Sequence, residues 1–145
     1  MRKAKKLAAF QAKYQTGDLG EFMSADLNYT LKRLVRGLSS ENHIVKRGFF
    51  LATVEVLRRF KAQIDMVKLI RFMKEETKTV STLKNPEINA LALGQLMCLS
   101  AVVESEAYQQ GALQANVDTI TSLTSSFIHL YQTYQFLRES IQTVF

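Results

Sequence analysis

The sequence predicts an all-α protein, and three observations carry that prediction. Its 145 residues include one proline and six glycines, too few breaking residues for many short strands and turns. Apolar residues recur at three- and four-residue spacing and not in strict alternation, which is the period of a helix face. The stretch from Leu31 to Phe50, LKRLVRGLSSENHIVKRGFF, reads as two amphipathic helices meeting at a polar corner. Such αα-hairpins are the unit of stacked helical repeats, and they also build compact bundles. About seven helices are expected, of roughly 13 residues each, an ordinary length for globular proteins.

Taken in order, the first helix spans about Lys3 to Gln15, with Leu7, Phe10 and Tyr14 on one stripe and a stop near Gly17. The second begins after Ser24, whose hydroxyl can cap free N–H groups, and ends around Leu38. Asp26 near its start suits the positive end of the helix dipole. Leu31, Leu34, Val35 and Leu38 keep one face apolar, which sets Lys32, Arg33 and Arg36 on the other. Gly37, Ser39, Ser40 and Asn42 break the pattern, and Ser40 or Asn42 caps a third helix running to about Phe60. That helix is expected to turn Ile44, Val45, Phe49, Ala52, Val56 and Leu57 inward.

A fourth helix follows Gln63, with Ile64, Val67, Leu69, Ile70 and Met73 apolar, and frays at Glu75 and Glu76. Thr77 to Asn85 is the clearest loop, and Pro86 opens the fifth helix because the first helical turn tolerates a missing N–H. Ile88, Leu91, Leu93, Leu96, Met97, Leu99, Val102 and Val103 surround this helix, which marks it as buried on most sides, with Gly94 admitting a close neighbour. After Gly111 a sixth helix carries Leu113, Val117, Ile120 and Leu123. A seventh, from about Ser126, carries Ile128, Tyr131, Tyr134, Leu137 and Ile141. Its stripe is still running at Phe145, so its outer face is expected to be exposed.

One domain over residues 1–145 is the simplest organisation at this length. The lone Cys98 excludes an intrachain disulfide and reads as a buried structural thiol in a reducing compartment. The basic start MRKAKKLAAF lacks the apolar run of a secretory signal. The apolar region from Ala90 to Val103, interrupted by Gln95, falls short of the roughly 20 residues of a membrane span. An intracellular protein is therefore expected. Charge is uneven: residues 1–74 carry +10 and residues 75–145 carry −4. The basic half suits an anionic partner, or a solvated face packed against acidic surface supplied by another protein segment.

No catalytic constellation is visible. His43 and His129 are far apart and lack a partner at i+4 that would complete a metal site. The glycines are isolated, so no phosphate-binding loop, dinucleotide fingerprint or nucleophile elbow occurs. Adjacent Glu75 and Glu76 diverge around the helix by about 100°. No cofactor and no metal are expected. What remains is binding: Lys32, Arg33 and Arg36 on one helix and Lys46 and Arg47 at the start of the next form a basic corner, where arginine forks can clamp phosphate oxygens without reading bases. Arg58, Arg59, Lys61 and Arg71 would extend it. The competing reading is a solvated or protein-facing surface, since the aromatics fall mostly on core stripes.

Three blocks carry a resemblance. LKRLVRGLSS followed by RGFFLATVEVL, then ALGQLMCLSAVVES (Ala92 to Ser105), then LYQTYQFLRES (Leu130 to Ser140) resemble, in that order, signatures of the Myb-binding protein 1A family, also called the DNA polymerase phi family. The chain departs at Asn42, where the family usually has a basic residue, at Lys46, where arginine is common, and at Tyr134 to Phe136, which lacks a lysine pair and tryptophan. The resemblance implies an armadillo/HEAT-like helical-repeat solenoid and the amino-terminal part of a longer protein. No repeat of about 40 residues is plain in the sequence itself. It further implies a nuclear and nucleolar protein acting in transcription regulation, ribosomal RNA gene transcription and ribosome biogenesis. Its partners would be ribosomal DNA or RNA on a basic edge and transcription factors or other proteins on the helix faces, with no membrane and no small-molecule substrate. A purely protein-binding adaptor is the alternative. Polymerase activity is not expected: nucleotide transfer needs carboxylates holding two metal ions about 3.5–4 Å apart, and Asp18, Asp26, Asp65 and Asp118 are scattered over separate helices and turns.

Overall fold

The computed structural model describes residues 18–21, 23–109 and 113–144. Among these residues the chain forms six α-helices, three short 3-10 turns and no strand. They are α1 (Ala25–Gly37), α2 (His43–Phe60), α3 (Met66–Glu76), α4 (Asn85–Glu104), α5 (Leu113–Thr133) and α6 (Arg138–Val144). The helix expected from Lys3 to Gln15, and Phe145, lie outside the described residues.

Short polar side chains fix where the helices begin. Ser24 Oγ accepts from the Leu27 N–H at 3.2 Å, and Asn42 Oδ1 accepts from Ile44 and Val45 at 3.0 and 3.1 Å. Ser40 braces the same corner by accepting from the Asn42 N–H at 3.2 Å. Asp65 Oδ1 starts α3 by accepting from Val67 and Lys68. Each cap satisfies donors that a helix end otherwise leaves open, an effect of about 1 kcal/mol apiece.

Helix α4 is the axis of the core. No residue from 90 to 103 is exposed, and α1, α2, α3 and α5 all pack around it. At Gly94 an added Cβ would lie 2.5 Å from Ser39 Oγ and 3.1 Å from the Leu38 carbonyl oxygen, so the corner between α1 and α2 rests directly on the α4 backbone. Cys98 is fully buried, and desolvation pushes its thiol pKa up to about 12. Consecutive helices pair, α1 with α2, α3 with α4 and α5 with α6, and successive pairs touch through α1–α3, α2–α4 and α3–α5.

Three expectations change. Helix α2 turns only part of the expected face inward: Leu57 is buried and Phe49 and Val56 pack against the core as expected, but Lys46, Thr53 and Val54 are the other buried residues, while Ile44 is 84% and Val45 43% exposed and Ala52 is exposed. Thr53 can lie inside because its hydroxyl donates to the Phe49 carbonyl at 2.6 Å. The expected sixth and seventh helices begin as one continuous helix through Ser126, whose hydroxyl donates to the Ser122 carbonyl at 2.7 Å and so does not cap a new element. The break falls instead at extended Tyr134 (φ −121°, ψ 99°), after which Leu137 and Ile141 are buried and Phe136 is 51% exposed. Finally, α4 is longer than the expected apolar run: at 20 residues it has the length and composition of a membrane span, yet it is the central packed helix of this fold.

Candidate nucleic-acid interface

The five cations of the proposed corner separate into three groups. Lys32 is 1% exposed, because the stripe that α1 buries (Leu27, Asn28, Leu31, Lys32, Val35) includes its position. Its ammonium lies 5.4 Å from the centre of the Phe72 ring on α3, a cation–π contact. Burial lowers its pKa, with the Asp18 charge opposing. Lys46 is 3% exposed and its Nζ donates to the Ala90 carbonyl of α4 at 3.3 Å; burial lowers its pKa as well. Both ammoniums are thus turned into the protein, a placement that corrects the expectation of a solvated basic side for Lys32.

Arg36 reaches across to α3. Its Nε lies 2.8 Å from Glu76 Oε2 and its Nη2 donates to Oε1 at 3.0 Å, a two-pronged pair in a half-buried setting. Arg33 and Arg47 are exposed, and among the described residues neither has a carboxylate partner. The structure therefore leaves two of the five cations open to a ligand.

The proposed extension also divides. Arg58 and Arg59 both hold Glu55, at 3.3 and 2.7 Å, and the Arg59 hydrogen bond is the main cause of that carboxyl's lowered pKa. Lys61 is half-buried and Arg71 is exposed. Two cations were not singled out from sequence: Lys68 and Lys74 are exposed on α3 beside Arg71, and none of the three has a carboxylate partner among the described residues. The signal for them was the apolar set Met66, Leu69, Ile70 and Met73, which leaves Lys68, Arg71 and Lys74 outside the core stripe.

The inter-helix contacts also fix how α1 and α3 lie. Lys32 meets Phe72 and Arg36 meets Glu76, both with an offset of 40 residues, so the two helices run side by side in the same direction. The basic outer surfaces of α1 and α3 consequently adjoin.

The remaining polar residues have local roles. Asp65 caps α3, Asp118 accepts from Gln114 at 3.0 Å, Asp18 accepts from Asn28 at 3.4 Å, and Glu75 pairs with Lys78 at 2.9 Å. His43 and His129 are exposed on different helices. Among the described residues no group of three His, Cys, Asp or Glu side chains is placed to hold a metal. Two apolar surfaces stand open: Ile44 and Leu51 on α2, where nothing lies within 4 Å of a Cβ built at Gly48, and Leu113, Val117, Ile120 and Ile128 on α5.

Comparison with known proteins gives one match. The family model described as DNA polymerase phi aligns with residues 29–145. No curated protein and no solved structure matches.

Proposed function

We propose, because this chain belongs to the DNA polymerase phi family, that it is a non-catalytic helical scaffold of the nucleus and nucleolus. In this reading it supports ribosomal RNA gene transcription and ribosome biogenesis by holding ribosomal DNA or RNA on a basic edge and regulatory proteins on its open helix faces. The observation that carries the reading is the set Arg33, Arg47, Lys68, Arg71 and Lys74: exposed, without carboxylate partners among the described residues, and borne on packed helices. Cations so placed can meet phosphates with little desolvation and no competing ion pair, which is the sequence-independent part of nucleic-acid binding. The pairwise stacking of consecutive helices supports an armadillo/HEAT-like repeat. The local capping and pairing duties of Asp65, Asp118 and Glu76 favour a scaffold over a polymerase.

A gel-shift assay at low salt tests the reading. Changing Arg33, Arg47 and Arg71 together to Glu abolishes retention of DNA and RNA while the helical circular dichroism signal is kept; unchanged retention rejects the basic edge. A fluorescent fusion that stays outside nucleoli rejects the location.

The open apolar faces favour a second reading, a purely protein-binding adaptor. Ile44 and Leu51, exposed to 84% and 62% on one side of α2, are the anchors that an amphipathic partner helix would cover. Salt separates the two. Phosphate contacts weaken steeply as salt rises, whereas an apolar face is nearly indifferent.

A further inference from the structure

We infer that the open face of α2 is an interface for a second copy of this chain, with the two α2 helices crossing antiparallel about a two-fold axis. The inference starts from the exposed apolar face of the protein-binding reading and names its occupant. Ile44, Gly48, Leu51, Ala52 and Glu55 recur along α2 at three- and four-residue spacing, and all five are exposed. Ile44 and Leu51 stand out to 84% and 62%. Between them Gly48 leaves a hollow, since a Cβ built there meets nothing within 4 Å. One stripe thus carries both a knob, Leu51, and a hole, Gly48. A surface with its own knob and its own hole fits a copy of itself turned by a two-fold axis.

Charge selects the same arrangement. With the axis midway between Gly48 and Leu51, Leu51 of each copy stands over Gly48 of the other, and Glu41 of each copy comes level with Arg58 of the other. Glu41 is exposed and has no cation partner among the described residues. Arg58 holds Glu55 at 3.3 Å, the longer of that carboxylate's two contacts, while Arg59 holds it at 2.7 Å. Turning Arg58 toward Glu41 of the second copy therefore leaves Glu55 neutralised. Ile44 then lies level with Glu55 of the second copy, against the methylenes of a carboxylate whose charge is already met. Arg47, about 100° around the helix from Gly48, stays at the edge of the contact. A parallel pairing would instead set Arg58 and Arg59 against their own copies and Glu41 against Glu41, which like charges disfavour. One helix face per copy is narrower than the roughly 800 Å² per partner of a standard interface, so the dimer is weak, with a Kd of about 10–100 µM.

The test is sedimentation equilibrium of the full chain from about 2 to about 500 µM, across which monomer is expected to convert to dimer. Leu51→Gln weakens self-association by about 30-fold or more, with the helical circular dichroism signal kept because the side chain is already exposed. Glu41→Arg and Arg58→Glu each weaken it by about 5-fold. An equimolar mixture of these two variants regains the wild-type affinity, because every cation at the two ends then meets a carboxylate. A chain that stays monomeric throughout overturns the inference and leaves the α2 face to a helix of a different protein, so the adaptor reading survives it. A dimer indifferent to Leu51→Gln but lost in Ile120→Gln puts the contact on α5 and overturns it as well. Failure of the mixture to recover overturns the antiparallel register. None of these results bears on retention of nucleic acid, which the gel shift reads separately.

Discussion

Replacing Lys46 by methionine should stabilise the fold and leave nucleic-acid binding untouched. The side chain is 3% exposed, and its ammonium has one long bond, 3.3 Å, to the Ala90 carbonyl. That carbonyl lies within α4, where helix geometry already supplies a donor four residues on. Methionine keeps most of the aliphatic stem and removes a poorly solvated charge, and exchanging buried charge for apolar volume gains about 1–2 kcal/mol. For a chain of this size that is a rise in Tm of about 3–8 °C, readable by circular dichroism. The pH dependence is the sharper test. Because burial lowers the Lys46 pKa below 10.5, the unfolded chain binds more protons than the folded one between the lowered value and 10.5. Wild-type stability therefore rises relative to the variant across that window, and the methionine advantage is largest near neutral pH and shrinks toward pH 10.5. A variant less stable than wild type at pH 7, or an advantage that does not change with pH, would refute the buried-ammonium argument.

Two further substitutions should have opposite signs. Gly48→Ala faces open space on α2 and should add about 0.5–1 kcal/mol through helix propensity, whereas Gly94→Ala pushes against Ser39 and the Leu38 carbonyl and should lose about 1–3 kcal/mol; urea titration compares both. The Cys98 thiol, buried and held far above its ordinary pKa, should be inert to a thiol reagent at pH 8 in the folded chain and react once guanidinium unfolds it.

Helix boundaries were legible because capping is local chemistry: Ser24 and Asn42 announce α1 and α2 within a few residues. The burial of Lys32 and Lys46 was not, since patterning treats lysine as a solvent residue. Yet Lys32 lies between Asn28 and Val35 in the buried stripe, and Lys46 sits about two turns before Thr53 and about three before Leu57. Long aliphatic stems let a lysine pack like a hydrophobe when a ring or carbonyl receives its head. A helix start near Ser126 does not materialise, because a serine that bonds back to the preceding turn looks in sequence like one that begins a helix. Of the candidate corner, Arg33 and Arg47 keep their place at the surface. Lys68 and Lys74 follow from the apolar set of α3, which leaves both outside the core stripe, and the parallel packing of α1 on α3 brings Lys68 to the side that faces α1.

The most direct test of the basic edge is the salt dependence of binding to a uridylate oligomer in the wild-type chain and in Arg33→Gln, Lys68→Gln and Arg71→Gln. Each of these three substitutions should flatten the log–log slope by about 0.7, while Lys46→Met leaves it unchanged. Slopes that are equal in all five proteins, or one lost through Lys46→Met, would rule out the basic edge.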